Sequence, residues 1–181
     1  GFLNLHTNHS PFTRFYKQFS GLGYGYEKLF LEKKLLIAET NLVGDIDNLA
    51  RFLKKVASQY RYGRDLTANG LKEAIKEVLV SFPIYCTYIN QRGGSQKDFQ
   101  YIEMAIARAR KRIPQLLNEL ELIEKILTLE YEESLQAEER SQWLHFVMRL
   151  QQFTGPLMAK GVEDTLFYVY NRFIGLNEVG A

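Results

Sequence analysis

Thr67-Ala-Asn-Gly-Leu-Lys-Glu-Ala-Ile-Lys-Glu-Val-Leu-Val-Ser-Phe-Pro83 contains a complete helix signal, with a start, a stripe and a stop. Thr67 is the residue type that caps a helix N-terminus, because its hydroxyl accepts from a backbone N–H left free in the first turn. Leu71, Ile75, Val78 and Leu79 recur at the three- and four-residue spacing that places them on one face. Pro83 ends the helix, since the residue before a proline is pushed out of helical conformation. The spacing therefore predicts a helix over 68–81.

The same period recurs outward from this stretch. Upstream, Leu29, Phe30, Lys33, Leu36 and Ile37 form a helical pattern from Tyr26. It continues through Leu49, Phe52, Leu53 and Val56, with a break near Gly44. Lys28, Lys33, Lys34, Lys54 and Lys55 fall on the solvated face of this reading; acidic residues interleave them, which disfavours a basic groove. Residues 1–25 are rich in Asn, Ser, Gly and aromatics and read as irregular around one short helix near Phe12–Phe19.

Downstream, Ile84-Tyr-Cys-Thr-Tyr-Ile89 is β-branched and aromatic, so it reads as extended. Asn90-Gln-Arg-Gly-Gly94 is a loop. Ser95 with Asp98 three residues on approximates a capping box, ahead of a face formed by Phe99, Ile102, Ile106 and Ala109. Pro114 fits the first turn of the next helix, whose stripe is Leu116, Leu117, Leu120, Ile123 and Leu127. Glu130 to Glu139 is an acidic link to a helix around Trp143, Phe146, Val147 and Leu150. Gly155-Pro156 interrupts, and a last helix is expected from about Val162 to Ile174. There is no internal repeat or low-complexity tract. The expected fold is mainly α, a helical bundle with an irregular N-terminal segment and little or no sheet, in one domain over 1–181.

Bulk composition narrows the function classes. The 181 residues carry 23 basic and 21 acidic side chains, and the net charge of +2 is too balanced for a nucleic-acid or anionic-membrane binder. No apolar run approaches the roughly 18 residues of a membrane helix. No basic start followed by an apolar run marks a signal peptide. The single Cys86 excludes an internal disulfide framework and suits a reducing cytosol, so a cytoplasmic location is expected. The chain lacks an initial Met and stops at Gly180-Ala181 in a polar, turn-like run, so a piece of a longer protein is expected.

Most of the functional information lies in the last thirty residues. Phe167, Tyr168 and Tyr170 are surrounded by Lys160, Glu163, Asp164, Asn171 and Arg172. Aromatic rings beside hydrogen-bonding charged groups suit a sugar, which has apolar CH faces and a belt of hydroxyls. The plain alternatives are a solvated Lys160, helix-start carboxylates at Glu163 and Asp164, and aromatics packed in a core. Glu163 and Asp164 are no catalytic pair, because adjacent helical residues point about 100° apart. The apolar run Leu166–Tyr170 implies either a helix central to the bundle or one covered by a partner. His6-x-x-His9 lacks convergent further ligands, so no metal is expected. Cys86 has no cation or His beside it in sequence and reads as a structural thiol.

Thr154-Gly-Pro-Leu-Met-Ala-Lys160-Gly-Val-Glu-Asp-Thr-Leu-Phe-Tyr-Val-Tyr170-Asn-Arg, followed by Leu176-Asn-Glu-Val-Gly180, resembles the signature of maltooligosyltrehalose synthases, in the alpha-amylase-type superfamily. Arg64-Asp-Leu-Thr67 and Phe82-Pro-Ile-Tyr-Cys-Thr-Tyr88 resemble the same family, and Gly1-Phe-Leu-Asn4 does so more loosely. Val169 and Cys86 depart from it, each standing where the family commonly has Arg. The resemblance implies an intramolecular transglycosylation that turns the reducing-end α-1,4 link of a maltooligosaccharide into an α,α-1,1 link. It also implies that the catalytic Asp and Glu precede this region, in a barrel, and that a third Asp follows it. The chain is then expected to be a helical part of a larger enzyme, inactive alone, with no catalytic residue, cofactor or metal of its own. Lys160, Glu163, Asp164, Phe167, Tyr168, Tyr170, Asn171 and Arg172 are the expected substrate-site residues. The expected partners are the maltooligosaccharide and the barrel of the same protein, with no nucleic acid and no membrane. The competing reading is a non-catalytic helical interaction module whose aromatic helix anchors a partner.

Overall fold

The Thr67 hydroxyl accepts from the backbone N–H of Gly70 at 2.9 Å, and the helix it caps runs Ala68–Ser81, as its signals predict. The computed structural model describes residues 9–21, 25–60, 63–131, 135–170 and 172. In chain order the helices are α1 (His9–Ser20), α2 (Tyr26–Thr40), α3 (Val43–Ala57), α4 (Ala68–Ser81), α5 (Gln96–Arg112), α6 (Leu117–Leu127) and α7 (Ala137–Met158). A 3₁₀ turn, Pro114–Leu116, leads into α6. A π-helical segment, Ala159–Leu166, follows α7 and ends in a short turn, Phe167–Val169. The fold is a mainly α bundle; among the described residues there is no strand, only an isolated bridge between Asn90 and Gly93.

Helix α4 is the centre of the bundle, packed by α2, α3, α5, α6 and α7. Its sequence stripe understates this, because Ala74, Glu77, Val80 and Ser81 are buried as well. Glu77 is buried with its charge answered by Arg112 of α5 and with Ser81 donating to it. A buried carboxylate requires such partners. The core around α4 joins Leu53 and Val56 of α3, Ile102 and Ile106 of α5, Ile123 of α6, and Phe146 and Leu150 of α7. Ser95 and Asp98 form the full capping box of α5, each side chain accepting from the other's backbone N–H.

The break expected near Gly44 is present: it lies at Asn41 and Leu42, with Gly44 in the first turn of α3. Three expectations are corrected. Leu36 and Leu117 are about half exposed rather than in the core. Gly155-Pro156 does not interrupt: α7 runs through both residues to Met158. The clash that forbids helix before proline involves the preceding Cβ, which Gly155 lacks. The last helix is shorter than expected and wider, because residues 159–166 adopt the π form and Tyr170 is already extended.

The irregular stretch expected over 1–25 contains α1 and otherwise falls largely on residues outside those described, as do His6, Asn171 and the Leu176–Gly180 motif. No helix among the described residues is long and apolar enough to cross a membrane.

Candidate functional site

The two stretches that carry the family resemblance meet in space. Gln151 on α7 is the hinge between them. Its Oε1 accepts from the Thr87 hydroxyl at 2.9 Å and from the Ile89 N–H at 2.8 Å, and its Nε2 donates to the Ile89 carbonyl at 3.0 Å. The side chain thus takes the place of a neighbouring strand for an extended segment that has none. Asp98 holds the same segment from the other side by accepting from the Tyr88 N–H at 3.0 Å. Burial works to raise the Asp98 carboxyl, but the Ser95 hydroxyl and the backbone N–H groups of Ser95 and Tyr88 hold it below the usual carboxylate range.

Fixed in this way, Tyr88 and Tyr85 project outward, with relative exposures of 76% and 47%. A Cβ on Gly155 would lie 3.7 Å from the Tyr85 carbonyl, so the extended segment runs beside the start of the second stretch. Cys86 lies under it, its sulfur near the Thr87 and Gln151 carbonyls. Burial pushes its thiol above the usual range, against a Thr154 hydrogen bond and with the Asp98 charge. This agrees with a structural thiol rather than a nucleophile.

The second stretch climbs from α7 into the π turn. The Thr165 hydroxyl donates to the Lys160 carbonyl five residues back at 2.6 Å, which matches the widened turn. Lys160 and Asp164 are exposed, four residues apart, and Glu163 is half-buried. Phe167 packs against a small cluster of Leu29, Phe30, Met158, Val162 and Leu166. Tyr168 is 79% exposed. Tyr170 turns back and sits edge-on between Tyr16, at 5.3 Å, and Tyr26, at 5.5 Å between ring centroids. Arg172 lies 5.2 Å from the Phe12 ring. Burial raises the Tyr170 phenol, against the Arg172 charge and with Tyr16. Burial, Glu27 and Tyr170 raise the Tyr26 phenol. Both phenols therefore remain neutral hydrogen-bonding groups at neutral pH.

The eight predicted residues thus divide. Lys160, Asp164 and Tyr168 present themselves to solvent, and Glu163 is partly available. Phe167, Tyr170 and Arg172 pack and hold α1 and α2 in place. Asn171 lies outside the described residues. Of the two readings of the run 166–170, the helix is not buried all round: Leu166 is buried, whereas Tyr168 and Val169 are exposed. Further apolar rings lie on α1, where Phe15 and Phe19 stack at 6.3 Å with exposures of 65% and 83%.

Two further residues, Gln151 and Lys34, hold the site from within. Gln151 stands directly after Leu150 in an apolar helix, a place where a buried amide signals a partner to be satisfied. Lys34, expected on a solvated face, is fully buried. Its signal was its spacing of four from both Phe30 and Ala38, which places it in the buried stripe of α2.

Among the described residues no group of three or more His, Cys, Asp or Glu could hold a metal ion. A cleft of about 890 Å³ lies between the α3–α4 connection and α6, lined by residues including Tyr60, Asp65, Asn118, Glu119 and Trp143. None of the predicted site residues lines it.

No family model matches the chain, and no curated protein matches it. A solved structure does: a mutant of maltooligosyltrehalose synthase from Arthrobacter ramosus, with 27% sequence identity and a TM-score of 0.70. The likeness covers 94% of this chain and 19% of that one, so the chain spans about a fifth of the length of the protein it matches.

Proposed function

We propose that this chain is a helical region of a maltooligosyltrehalose synthase, and that its 155–172 segment lines the substrate side of an active site built largely elsewhere in the protein. The observation that carries the reading is the likeness to a solved synthase along nearly the whole chain, which agrees with the residue-level resemblance of 154–172 and 82–88. The parent reaction is an isomerisation by intramolecular transglycosylation of a maltooligosaccharide, through a covalent glycosyl-enzyme intermediate as in retaining glycosidases. The released glucose must be kept, turned and attacked through its anomeric hydroxyl before water arrives. That requires an acceptor pocket with fixed donors and little water.

Lys160, Asp164 and Tyr168 are suited to this role because they are exposed on an element fixed from below. Phe167, Tyr170 and Arg172 act behind them as support. The catalytic barrel of the same protein is the partner that covers Tyr168, Val169, Phe15 and Phe19. On this reading the chain alone is inactive, because the catalytic carboxylates belong to the barrel and the two carboxylates of the segment, Glu163 and Asp164, are adjacent.

The test is made in the full-length protein. Substituting Lys160→Ala or Tyr168→Ala should raise the ratio of glucose released to trehalose-type product formed, by about tenfold if each supplies one polar contact to the held sugar. An unchanged ratio with an unchanged rate would remove both residues from the pocket. The exposed rings Phe15, Phe19 and Tyr168 also favour a second reading, a helical module that anchors a separate protein. It predicts that the same substitutions leave the product ratio alone and weaken a protein complex.

A further inference from the structure

Lys34 is the one lysine of α2 that is fully buried, and it touches both resemblance-bearing stretches. Its Nζ donates to the Phe82 carbonyl at 2.8 Å. Phe82 is the C-cap of α4, and the residue after it is Pro83, which has no N–H. The last carbonyls of α4 therefore lack helix partners in a buried place, and their partners must come from elsewhere. Arg108 reaches the Ser81 carbonyl at 3.5 Å, and Lys34 takes the next one. A donor at a helix C-terminus is also favoured by the helix dipole.

The stem of the same lysine carries the second stretch. A Cβ on Gly161 would lie 3.0 Å from both the Cα and the Cγ of Lys34. That is tighter than ordinary van der Waals contact, so a side chain here would push the π segment and α2 apart by a few tenths of an ångström. Phe30 closes the site from the side, with its ring centre 5.0 Å from the amine. Burial, and secondarily the Arg108 charge, bring the Lys34 amine down to about 7.

We propose that Lys34 and Gly161 form a seat that sets the position of the π segment relative to the end of α4, and so registers residues 159–170 with residues 82–89. Lys34 is a positioning residue in this arrangement: it is fully buried, and Lys160, Asp164 and Tyr168 are presented from the element that rests on it. The seat goes beyond the proposed reaction, because its geometry and its test involve no sugar.

Lys34→Met separates the amine from the volume, since methionine is close in length and apolar. If the lysine merely fills space, Met keeps the local structure. The experiment compares amide hydrogen exchange, corrected for pH, in the wild-type chain, Lys34→Met and Gly161→Ala. In Lys34→Met the amides of Val162–Leu166 and of Val80–Phe82 should exchange about tenfold faster or more, whereas those of Ile123 and Ile126 on α6 should change by less than about threefold. Gly161→Ala should speed the Val162–Leu166 amides in the same way with the amine still present. Should Lys34→Met fail to fold, the Gly161→Ala comparison alone decides. Protection of 162–166 that stays unchanged, or falls equally with the α6 amides, would overturn the seat.

Discussion

Lys34 shows how far one residue can depart from its type. A lysine belongs in water, yet this amine has no exposure and a single carbonyl to bond. Its folded pKa of about 7 lies below the ordinary 10.5. Between those two values the unfolded chain holds a proton that the folded chain has released. Stability therefore rises with pH across that window, and the lysine's contribution is flat and least favourable below about pH 7. The slope from one such group is at most about 1.4 kcal/mol per pH unit. Cys86 works the other way where free thiols ionise, because its folded thiol is raised. The difference between the wild-type chain and Lys34→Met cancels that term. Urea denaturation at steps from pH 7 to 9 should show a gain in the wild-type chain that Lys34→Met lacks; parallel curves would mean that Lys34 is not buried as an amine.

At the scale of elements, helices are joined to the irregular segment by side chains rather than by a sheet. Gln151 supplies two acceptor contacts and one donor contact to residues 87–89. Gln151→Ala leaves the Thr87 hydroxyl and both backbone groups of Ile89 without these partners in a buried place. A loss of about 2–4 kcal/mol is expected, read from the shift of the denaturation midpoint. A loss under about 0.5 kcal/mol would mean that water takes over the contacts. The caps at Thr67 and Ser95 were legible because a cap and its helix lie within three residues of each other. The π turn was not, because the residue that shapes its path, Lys34, lies far away in sequence. Pro156 is a local case instead: Gly155 before it lacks the Cβ that would clash, so α7 passes through both residues.

Across the whole molecule, the exposed rings are the main irregularity of the surface. Phe19, Tyr168 and Tyr88 are exposed by 83%, 79% and 76%, so most of each ring faces solvent. Replacing Tyr88 by serine should leave the melting temperature nearly unchanged while lowering the fluorescence of a surface-binding hydrophobic dye. A fall in stability would instead show that the Tyr88 ring packs within this chain. The sequence by itself determined the class of fold, the extent of α4, its cap and that of α5. Those signals act between residues three or four apart, where side-chain type alone decides. Only the tertiary structure decided that Lys34 is inside and which of the candidate residues face outward. Both depend on segments distant in the chain, such as Lys34 and Phe82, 48 residues apart. Burial is a property of what surrounds a residue, and no local pattern encodes which neighbours arrive.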